Sequence, residues 1–466
     1  MTTTTIVNAQ GLLDVRRFVD AQKISGFQWM VLALCFLVVA LDGFDTASIG
    51  FIAPALRADW GLSPAQLSPL LAAALAGLTI GALACGPLAD RIGRKKVLML
   101  SVAVFGGMTL AAAWADSVAG LTLARFLTGL GLGGAMPTAV TLMSEFCPQR
   151  RRSVLVTTMF CGFTLGSALG GIVSAHLVPV HGWRSVLALG GVLPLLLVPA
   201  MALWMPESAR FLLLRAGTGE RLRRTLQAIA PLPVDMKGFL VEAEGEVSAP
   251  VRQILAAPLR RGTLLLWGSF FMSLLIIYLL TNWLPTLIKD TGLTLSQAAL
   301  LTALFQIGGT AGAIGLGAAM DKLNPYRVLT VAYALGALCF GAISQFYTNF
   351  MLLGLFVAGV GVFISGSQVG ANALAASYYP TGSRATGVAW ALGAGRVGSI
   401  FGSLVGGTML GMGWGMHGIF ALLMLPSALA ALFIHRMGKA LAPASTPGGS
   451  PVAAPAVGHP QRSIPS

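Results

Sequence analysis

Two carboxylates, Asp42 and Asp45, lie inside an apolar run that extends from about residue 29 to residue 56. The run is long enough to cross a lipid bilayer, which takes roughly 20 residues. A charged side chain at the centre of a membrane helix costs about 2.5–3.5 kcal/mol on insertion scales, and such residues usually mark an ion or proton path. Three residues apart, the two carboxylates share one helix face, which favours a joint role in proton coupling. A structural role is the alternative, in which both pair with Lys or Arg or cap a broken helix.

Two arginines in other apolar runs are candidate partners for these carboxylates or for an anionic substrate. Arg125 keeps its charge and matches a carboxylate bidentately, so it pairs either with an aspartate of the first run or with the substrate. Arg396 lies about 18 Å along a helix from Arg384, which places it near the membrane midplane, where carriers bind substrate. We expect Arg396 to anchor a substrate carboxylate, and an interhelical ion pair is the alternative.

The composition of the whole chain is that of a polytopic membrane protein. Of its 466 residues, 56% are hydrophobic and only 10% are charged, whereas soluble domains average about 25% charged residues. Apolar runs of membrane length recur along the chain, and each must be helical because backbone groups in lipid need internal hydrogen-bond partners. The net charge of +14 does not indicate nucleic-acid binding, because the basic residues cluster in short loops between apolar runs.

The apolar runs predict an all-α membrane protein with twelve transmembrane helices in two six-helix halves. The predicted spans are 29–56, 66–89, 97–115, 119–143, 153–175, 184–204, 262–284, 296–318, 327–346, 350–374, 384–408 and 415–435. They divide the chain into an N-terminal segment (1–28), an N-terminal bundle (29–205), a central loop (206–261), a C-terminal bundle (262–436) and a tail (437–466). The central loop should form a short amphipathic helix on the membrane surface around residues 220–229. The tail is rich in Pro, Ala, Gly and Ser, which predicts disorder.

The distribution of Lys and Arg predicts how the chain is oriented. Basic residues are concentrated in the terminal segments and in the loops on their side, whereas the opposite loops hold only Arg57, Arg184 and Lys289. By the positive-inside rule, both termini and the central loop should be cytoplasmic, in a bacterial inner membrane. The first span would then run from inside to outside.

The two halves of the chain repeat each other. Four pairs of landmarks recur at a constant offset of 232 residues: Gly129 and Gly361, Pro148 and Pro380, Arg152 and Arg384, and Gly166 and Gly398. A duplicated six-helix unit is typical of a transporter in which one half rocks against the other.

A further set of charged residues lies at the cytoplasmic ends of the predicted helices. We expect these residues to gate the carrier, through charge pairs that hold the cytoplasmic side shut in one state and break in the other. Simple positive-inside topology is the alternative explanation. The set comprises Asp90, Arg91, Arg94, Glu145, Arg152, Asp321 and Arg384.

Several motifs resemble those of the major facilitator superfamily. Residues 86–96, GPLADRIGRKK, are similar to its signature loop between helices 2 and 3, and residues 125–131 are similar to its helix 4 motif. Residues 206–212, PESARFL, resemble the pattern that follows helix 6 in several of its porter families.

A narrower resemblance is to the aromatic acid:proton symporters within that superfamily. It rests on residues 41–46, LDGFDT, together with residues 50–56, 159–163, 280–286 and 384–388. Within that family the chain most resembles carriers of 4-hydroxybenzoate and protocatechuate. One departure is Tyr326, which follows Asn-Pro where close relatives carry a His and which does not titrate near neutral pH as His does.

The resemblance implies a secondary transporter that imports benzoate-type anions with protons by alternating access. It implies the partners of such a carrier, namely a small aromatic carboxylate, protons and the bilayer, and we expect a monomer that takes no cofactor. By motif match it points to Asp42, Asp45, Arg125, Glu145, Arg384 and Arg396. The histidines show no metal-ligand spacing, and no GxxxxGK[ST] phosphate loop is present, so neither an enzyme nor ATP-driven transport is indicated.

An aromatic substrate also needs apolar and hydrogen-bonding contacts. Phe44 and Trp390 are candidates to stack on the ring, and Asn282 is a candidate to bond a ring hydroxyl. Each residue alone is more often a packing residue. Other residues of the same kinds in the spans are Phe160, Tyr278, Trp283, Gln306, Gln368 and Asn372.

Three other functions are alternatives to the import of benzoates. The carrier could import another organic acid, such as a phenylpropionate or nicotinate. Proton-driven drug efflux is disfavoured by Ser167, because drug antiporters usually carry Pro directly after the second Gly of the helix 5 motif. A non-transporting membrane sensor would not need charged residues within the membrane.

Overall fold

The computed structural model describes residues 7, 11–215, 219–233, 236–240, 251–257, 259–380 and 383–441. Within these residues, twelve helical segments are long and apolar enough to cross a membrane, which confirms the predicted fold class. In chain order the elements are β1 (Leu12–Asp14), α1 (Val15–Ala21), α2 (Gly26–Trp60), α3 (Pro64–Ile92), α4 (Arg94–Ala112), α5 (Val118–Phe146), α6 (Gln149–His181), α7 (Trp183–Trp204), α8 (Ala209–Leu214), α9 (Gly219–Gln227), β2 (Gly238–Leu240), α10 (Val251–Ile254), α11 (Arg260–Asp290), α12 (Leu295–Lys322), α13 (Pro325–Phe346), α14 (Phe350–Val360), a π-helical turn (Gly361–Ser365), α15 (Gly366–Tyr378), α16 (Arg384–Gly411) and α17 (Met416–Leu441). The segment α14–π–α15 forms one span.

The helix that carries the two aspartates begins with a capping box. Ser25 N donates to Gln28 Oε1 at 2.8 Å, and Gln28 N donates to Ser25 Oγ. These bonds satisfy backbone groups that the first helical turn leaves without partners. The Gln28 amide also donates to the carbonyl of Phe146 at 2.5 Å, which ties the start of α2 to the end of α5.

The helix packing repeats in the two halves. In the first half α2 packs on α6, α3 on α5 and α4 on α7; in the second half α11 packs on α16, α12 on α14–α15 and α13 on α17. Gly166 lies against the carbonyl of Ala40, and its repeat partner Gly398 lies against the carbonyl of Phe271, so that a Cβ at either glycine would clash. Small residues at such crossings allow the helix backbones to approach closely.

The halves contact each other through α2 with α11, α6 with α12, and α3 with α16. Close contacts lie toward the helix ends that face away from the termini. Gly50 of α2 lies directly against the carbonyl of Thr281 in α11, and Ser296 Oγ in α12 donates to the carbonyl of Ala175 in α6 at 2.6 Å. The interface between the halves is therefore closed on the face opposite the termini.

Two of these interface helices, α3 and α12, are exposed at their other ends. The buried residues of α12 run from Ala298 to Gly312, and none follows in its last ten positions. In α3 the buried residues run from Leu67 to Gly81, and Ala89 alone follows. The space between the halves therefore opens toward the face that carries the termini.

The N-terminal segment and the central loop pack together beneath the first half. β1 pairs in parallel with β2, and α9 occupies the place of the predicted amphipathic helix. Its apolar face does not lie free on the membrane surface as expected, because Leu222 and Leu226 are fully buried in a core shared with Phe18 of α1. The prediction missed this contact because the partner residues lie about 200 positions earlier in the chain.

The predicted tail begins later than the sequence indicated. Helix α17 continues to Leu441, because Met437 is fully buried and Gly438 lies beside the ring of Tyr326. The remainder of the predicted tail, residues 442–466, lies outside the described residues.

Candidate functional site

Asp45 and Arg125 form an ion pair inside the first half. Arg125 Nη1 donates to Asp45 Oδ1 at 3.0 Å, and Nη2 donates to the carbonyl of the same residue at 3.3 Å. Both side chains are fully buried. A buried ion pair needs good geometry and further hydrogen bonds to offset the free energy lost when its charges are dehydrated. The two bonds from Arg125 offset part of this cost.

Two threonines complete the surroundings of Asp45. The hydroxyl of Thr109 in α4 donates to Asp45 Oδ1 at 2.6 Å and lies 3.3 Å from the hydroxyl of Thr128 in α5. Both threonines are fully buried. Among the described residues, Asp45 Oδ2 has no hydrogen-bond partner, so the contacts of this carboxylate are all made through Oδ1 and the backbone carbonyl.

Asp42 faces the other half of the molecule. It is buried, and its Oδ1 accepts a hydrogen bond from Thr46 at 3.2 Å. Arg396 of α16 lies within electrostatic range of Asp42 and of the Tyr278 hydroxyl in α11. The two aspartates of α2 therefore have different surroundings: Asp45 is paired inside its own half, whereas Asp42 lies opposite a cation across the interface.

The glycines around Arg396 fit α16 closely against α11. A Cβ at Gly395 would clash with Leu274, and a Cβ at Gly398 would clash with the carbonyl of Phe271. Arg396 itself is half-buried. Close packing of the backbones thus fixes the position of Arg396 along α16.

The predicted ring contacts have partners of their own. Phe44 is buried beside Gly190, and the Asn282 amide donates to Ser403 Oγ at 2.7 Å. Trp390 is exposed and stacks on Trp267, with 5.7 Å between the ring centroids. Tyr278, one of several aromatic residues noted in the spans, is instead the one near Arg396.

Of the predicted gating residues, the structure joins Arg94 and Glu145, which form an ion pair between α4 and α5. Arg384 is exposed, and its Nε lies 3.4 Å from the carbonyl of Tyr379. The other predicted gating residues are exposed on the same face: Asp90, Arg91, Arg152 and Asp321.

Glu207 lies at the same end of the molecule. The PESARFL motif includes it, but the sequence predicts no role for this residue on its own. Its Oε1 accepts hydrogen bonds from Lys95 N at 3.0 Å and from Ser208 N at 2.9 Å. The first of these bonds caps the N-terminus of α4, where a carboxylate is favoured by the helix dipole. The signal was a carboxylate that closely follows a long apolar run.

A duplicated twelve-helix bundle with buried charges at the interface of its halves defines a membrane carrier. Residues 35–365 and 266–459 match the sequence profile of the Major Facilitator Superfamily, and the chain belongs to this family. It is a transporter and not an enzyme. The resemblance inferred from the motifs is confirmed by this match and by the relatives described next.

Two relatives from Pseudomonas putida cover nearly the whole chain. The chain is 49% identical over 423 residues to the 4-hydroxybenzoate transporter PcaK, which covers 90% of this chain and 94% of the relative. It is 48% identical over 429 residues to a gallate transporter, with 92% and 96% covered. The crystal structure of a D-xylose-proton symporter superposes with a TM-score of 0.70 over 88% of this chain and 98% of that chain; at 18% identity this likeness shows the fold alone.

Proposed function

We propose that the protein imports aromatic acids of the hydroxybenzoate class across the bacterial plasma membrane by proton symport. The observation that carries the proposal is the position of Asp42 opposite Arg396, across the interface between the two halves. One group can bind a proton and the other can bind a carboxylate, and both lie where the halves move against each other. The names of the relatives supply the substrate class.

The proton and the anion can be coupled through Arg396. While Asp42 is ionised, its charge attracts the guanidinium of Arg396 and competes with a substrate carboxylate for it. When Asp42 takes a proton, this competition ends and Arg396 becomes free to bind the carboxylate bidentately. The carrier therefore loads its anion preferentially when it also carries a proton.

The membrane potential opposes the entry of an anion on its own, which explains why the carrier couples the anion to a proton. A benzoate anion moving inward works against an inside-negative potential by about 2.3 kcal/mol per 100 mV. One accompanying proton cancels the charge of the anion, so the pH gradient alone can drive accumulation, and a second proton would add the membrane potential as a driving force. The ion pair of Asp45 with Arg125 holds α2 and α5 together beside the coupling site.

In this proposal both termini are cytoplasmic, as the distribution of basic residues favours. The closed face of the interface is then the outer face, and the structure corresponds to an inward-facing state. The pair Arg94 and Glu145, with the exposed charges around it, would gate the cytoplasmic side. The protein would act as a monomer, since one chain supplies both halves.

Transport by the purified protein tests the proposal directly. Proteoliposomes with an imposed proton gradient should accumulate labelled 4-hydroxybenzoate, and an uncoupler should abolish the accumulation. Unlabelled gallate, phenylpropionate and nicotinate, added in competition, would identify the preferred acid. A carrier that accumulates no aromatic acid under any gradient would refute the symport proposal.

A further inference from the structure

The outer face holds a cavity that lies away from the coupling site. The outer ends of α2, α11, α13, α16 and α17 surround a space of about 520 Å³. Arg57 and Asp290 line it together with two aromatic side chains, Tyr347 and Trp414. Trp414 is 41% exposed, so its ring is accessible to a ligand.

An ion pair inside this cavity links the two halves. Arg57 lies in the last turn of α2 in the first half, and Asp290 is the last residue of α11 in the second half. Arg57 Nη1 lies 3.1 Å from Asp290 Oδ2 and 3.5 Å from its Oδ1. The side chains are 33% and 47% exposed. Ion pairs at such exposed positions are weak, because water competes for both partners. A second carboxylate can therefore replace Asp290.

The residues that line the cavity carry one cation and one carboxylate, Arg57 and Asp290. Lys289 is exposed next to Asp290 in the chain. Once Asp290 is displaced, the Arg57 guanidinium is the charged group that an arriving carboxylate would pair with. A cation beside aromatic side chains in a cavity of this size matches the two parts of an aromatic carboxylate.

We propose that this cavity is an outer capture site, in which the aromatic carboxylate displaces Asp290 from Arg57 and its ring lies against Trp414 and Tyr347. Displacement also removes a link between the halves. Arrival of substrate outside thereby weakens outer closure and favours return of the carrier to the outward-facing state. The inference rests on the proposed function for its substrate and its orientation.

The two partners of the ion pair should affect transport in opposite directions. In Arg57→Gln the capturing cation is lost and Asp290 still repels the anion, so KM for external 4-hydroxybenzoate should rise about three- to five-fold. In Asp290→Asn the competing carboxylate is lost, so KM should fall by a similar factor. The double variant Arg57→Gln/Asp290→Asn should resemble Arg57→Gln, because it also lacks the cation.

The experiment measures initial uptake rates in energised cells that express the full-length variants at matched levels. Arg184→Gln is the matched control, because Arg184 lies on the same face and interacts with Asp59 and Asp116 of its own half, at 3.9 and 3.6 Å. Its KM should equal that of the wild-type protein. Arg57→Lys tests geometry, because it keeps the charge but loses bidentate recognition, and its KM should lie between those of the wild type and Arg57→Gln.

Two outcomes would overturn the capture site. If Arg57→Gln and Asp290→Asn shift KM in the same direction, the pair is only a latch between the halves. If neither variant shifts KM, the cavity takes no part in transport. Failure of the wild-type protein to take up any aromatic acid would instead refute the proposed function, so the two failures are distinguishable.

Discussion

Arg125 Nη1 lies 3.0 Å from Asp45 Oδ1, and both side chains are fully buried, so this aspartate is neutralised within its own half of the carrier. Asp42, one turn earlier on α2, is held by Thr46 and lies opposite Arg396 of the other half. We therefore propose separate roles for the two carboxylates of the LDGFDT motif. In this proposal Asp45 stabilises the first half, and Asp42 couples the binding of a proton to the second half.

Loss of Asp45 should destabilise the protein more than loss of the whole ion pair. In Asp45→Asn the Arg125 guanidinium is left buried beside a neutral amide, which costs about 3–5 kcal/mol. The double variant Asp45→Asn/Arg125→Gln leaves no unpaired charge and should regain most of that loss. Thermal unfolding of the detergent-purified proteins measures both effects. Equal melting temperatures for Asp45→Asn and wild type would contradict the pairing.

Loss of Asp42 should uncouple transport while leaving the substrate site usable. In Asp42→Asn the side chain is permanently neutral, so Arg396 remains available to the carboxylate but no proton accompanies it. We expect no uphill accumulation of 4-hydroxybenzoate, with exchange of internal for external substrate retained. Counterflow in proteoliposomes measures the exchange. Gradient-driven accumulation at the wild-type level would remove Asp42 from coupling.

Thr109 should act as a positioning residue for Asp45. Its hydroxyl donates to Asp45 Oδ1 at 2.6 Å from α4, a helix that carries no other part of the coupling site. A hydrogen bond to a charged group contributes about 1.5–3 kcal/mol, so the nearly isosteric Thr109→Val should lower the melting temperature of the detergent-purified protein. Thr109→Ser keeps the hydroxyl and is the matched control. An unchanged melting temperature in Thr109→Val would mean that the hydroxyl adds nothing to the stability of the ion pair.

The sequence predicted the twelve helices and their duplication, because apolar length and repeated landmarks are local properties of the chain. The structure shows that the repeat also includes specific contacts between helices. The spacing of the glycines in the sequence predicts only that their helices pack closely. Gly129 lies against the carbonyl of Ala74, and its repeat partner Gly361 lies against that of Phe305.

The partners of individual side chains were harder to predict. Arg125 was expected to bind either an aspartate or the substrate, and only the crossing of α2 and α5 shows the ion pair. Trp390 is a candidate contact for the substrate ring, and its stacking on Trp267 could not be predicted from the sequence. The face to which a residue belongs follows from helical periodicity, whereas the helix that covers this face depends on tertiary packing.

Gly50 should be required for closure of the outer face. Gly50 lies directly against the carbonyl of Thr281, where α2 of one half crosses α11 of the other. A methyl group at this position would clash with the backbone of α11, which is fixed by its helical hydrogen bonds. Gly50→Ala should therefore hold the carrier open to the outside and slow uptake at least ten-fold. Gly86→Ala is the matched control, because a Cβ at Gly86 meets no atom within 4 Å.

Cysteine labelling reports the state of the outer face in these glycine variants. Ala47 is fully buried in a small cluster with Phe51 and Ala299, on the closed part of the interface. In a background without the five native cysteines, Ala47→Cys should resist a membrane-impermeant maleimide. The same cysteine should react readily once Gly50→Ala is added, and Gly86→Ala should leave it protected. Equal protection in the Gly50→Ala variant would show that the outer face closes without the glycine, and that the slow uptake has another cause.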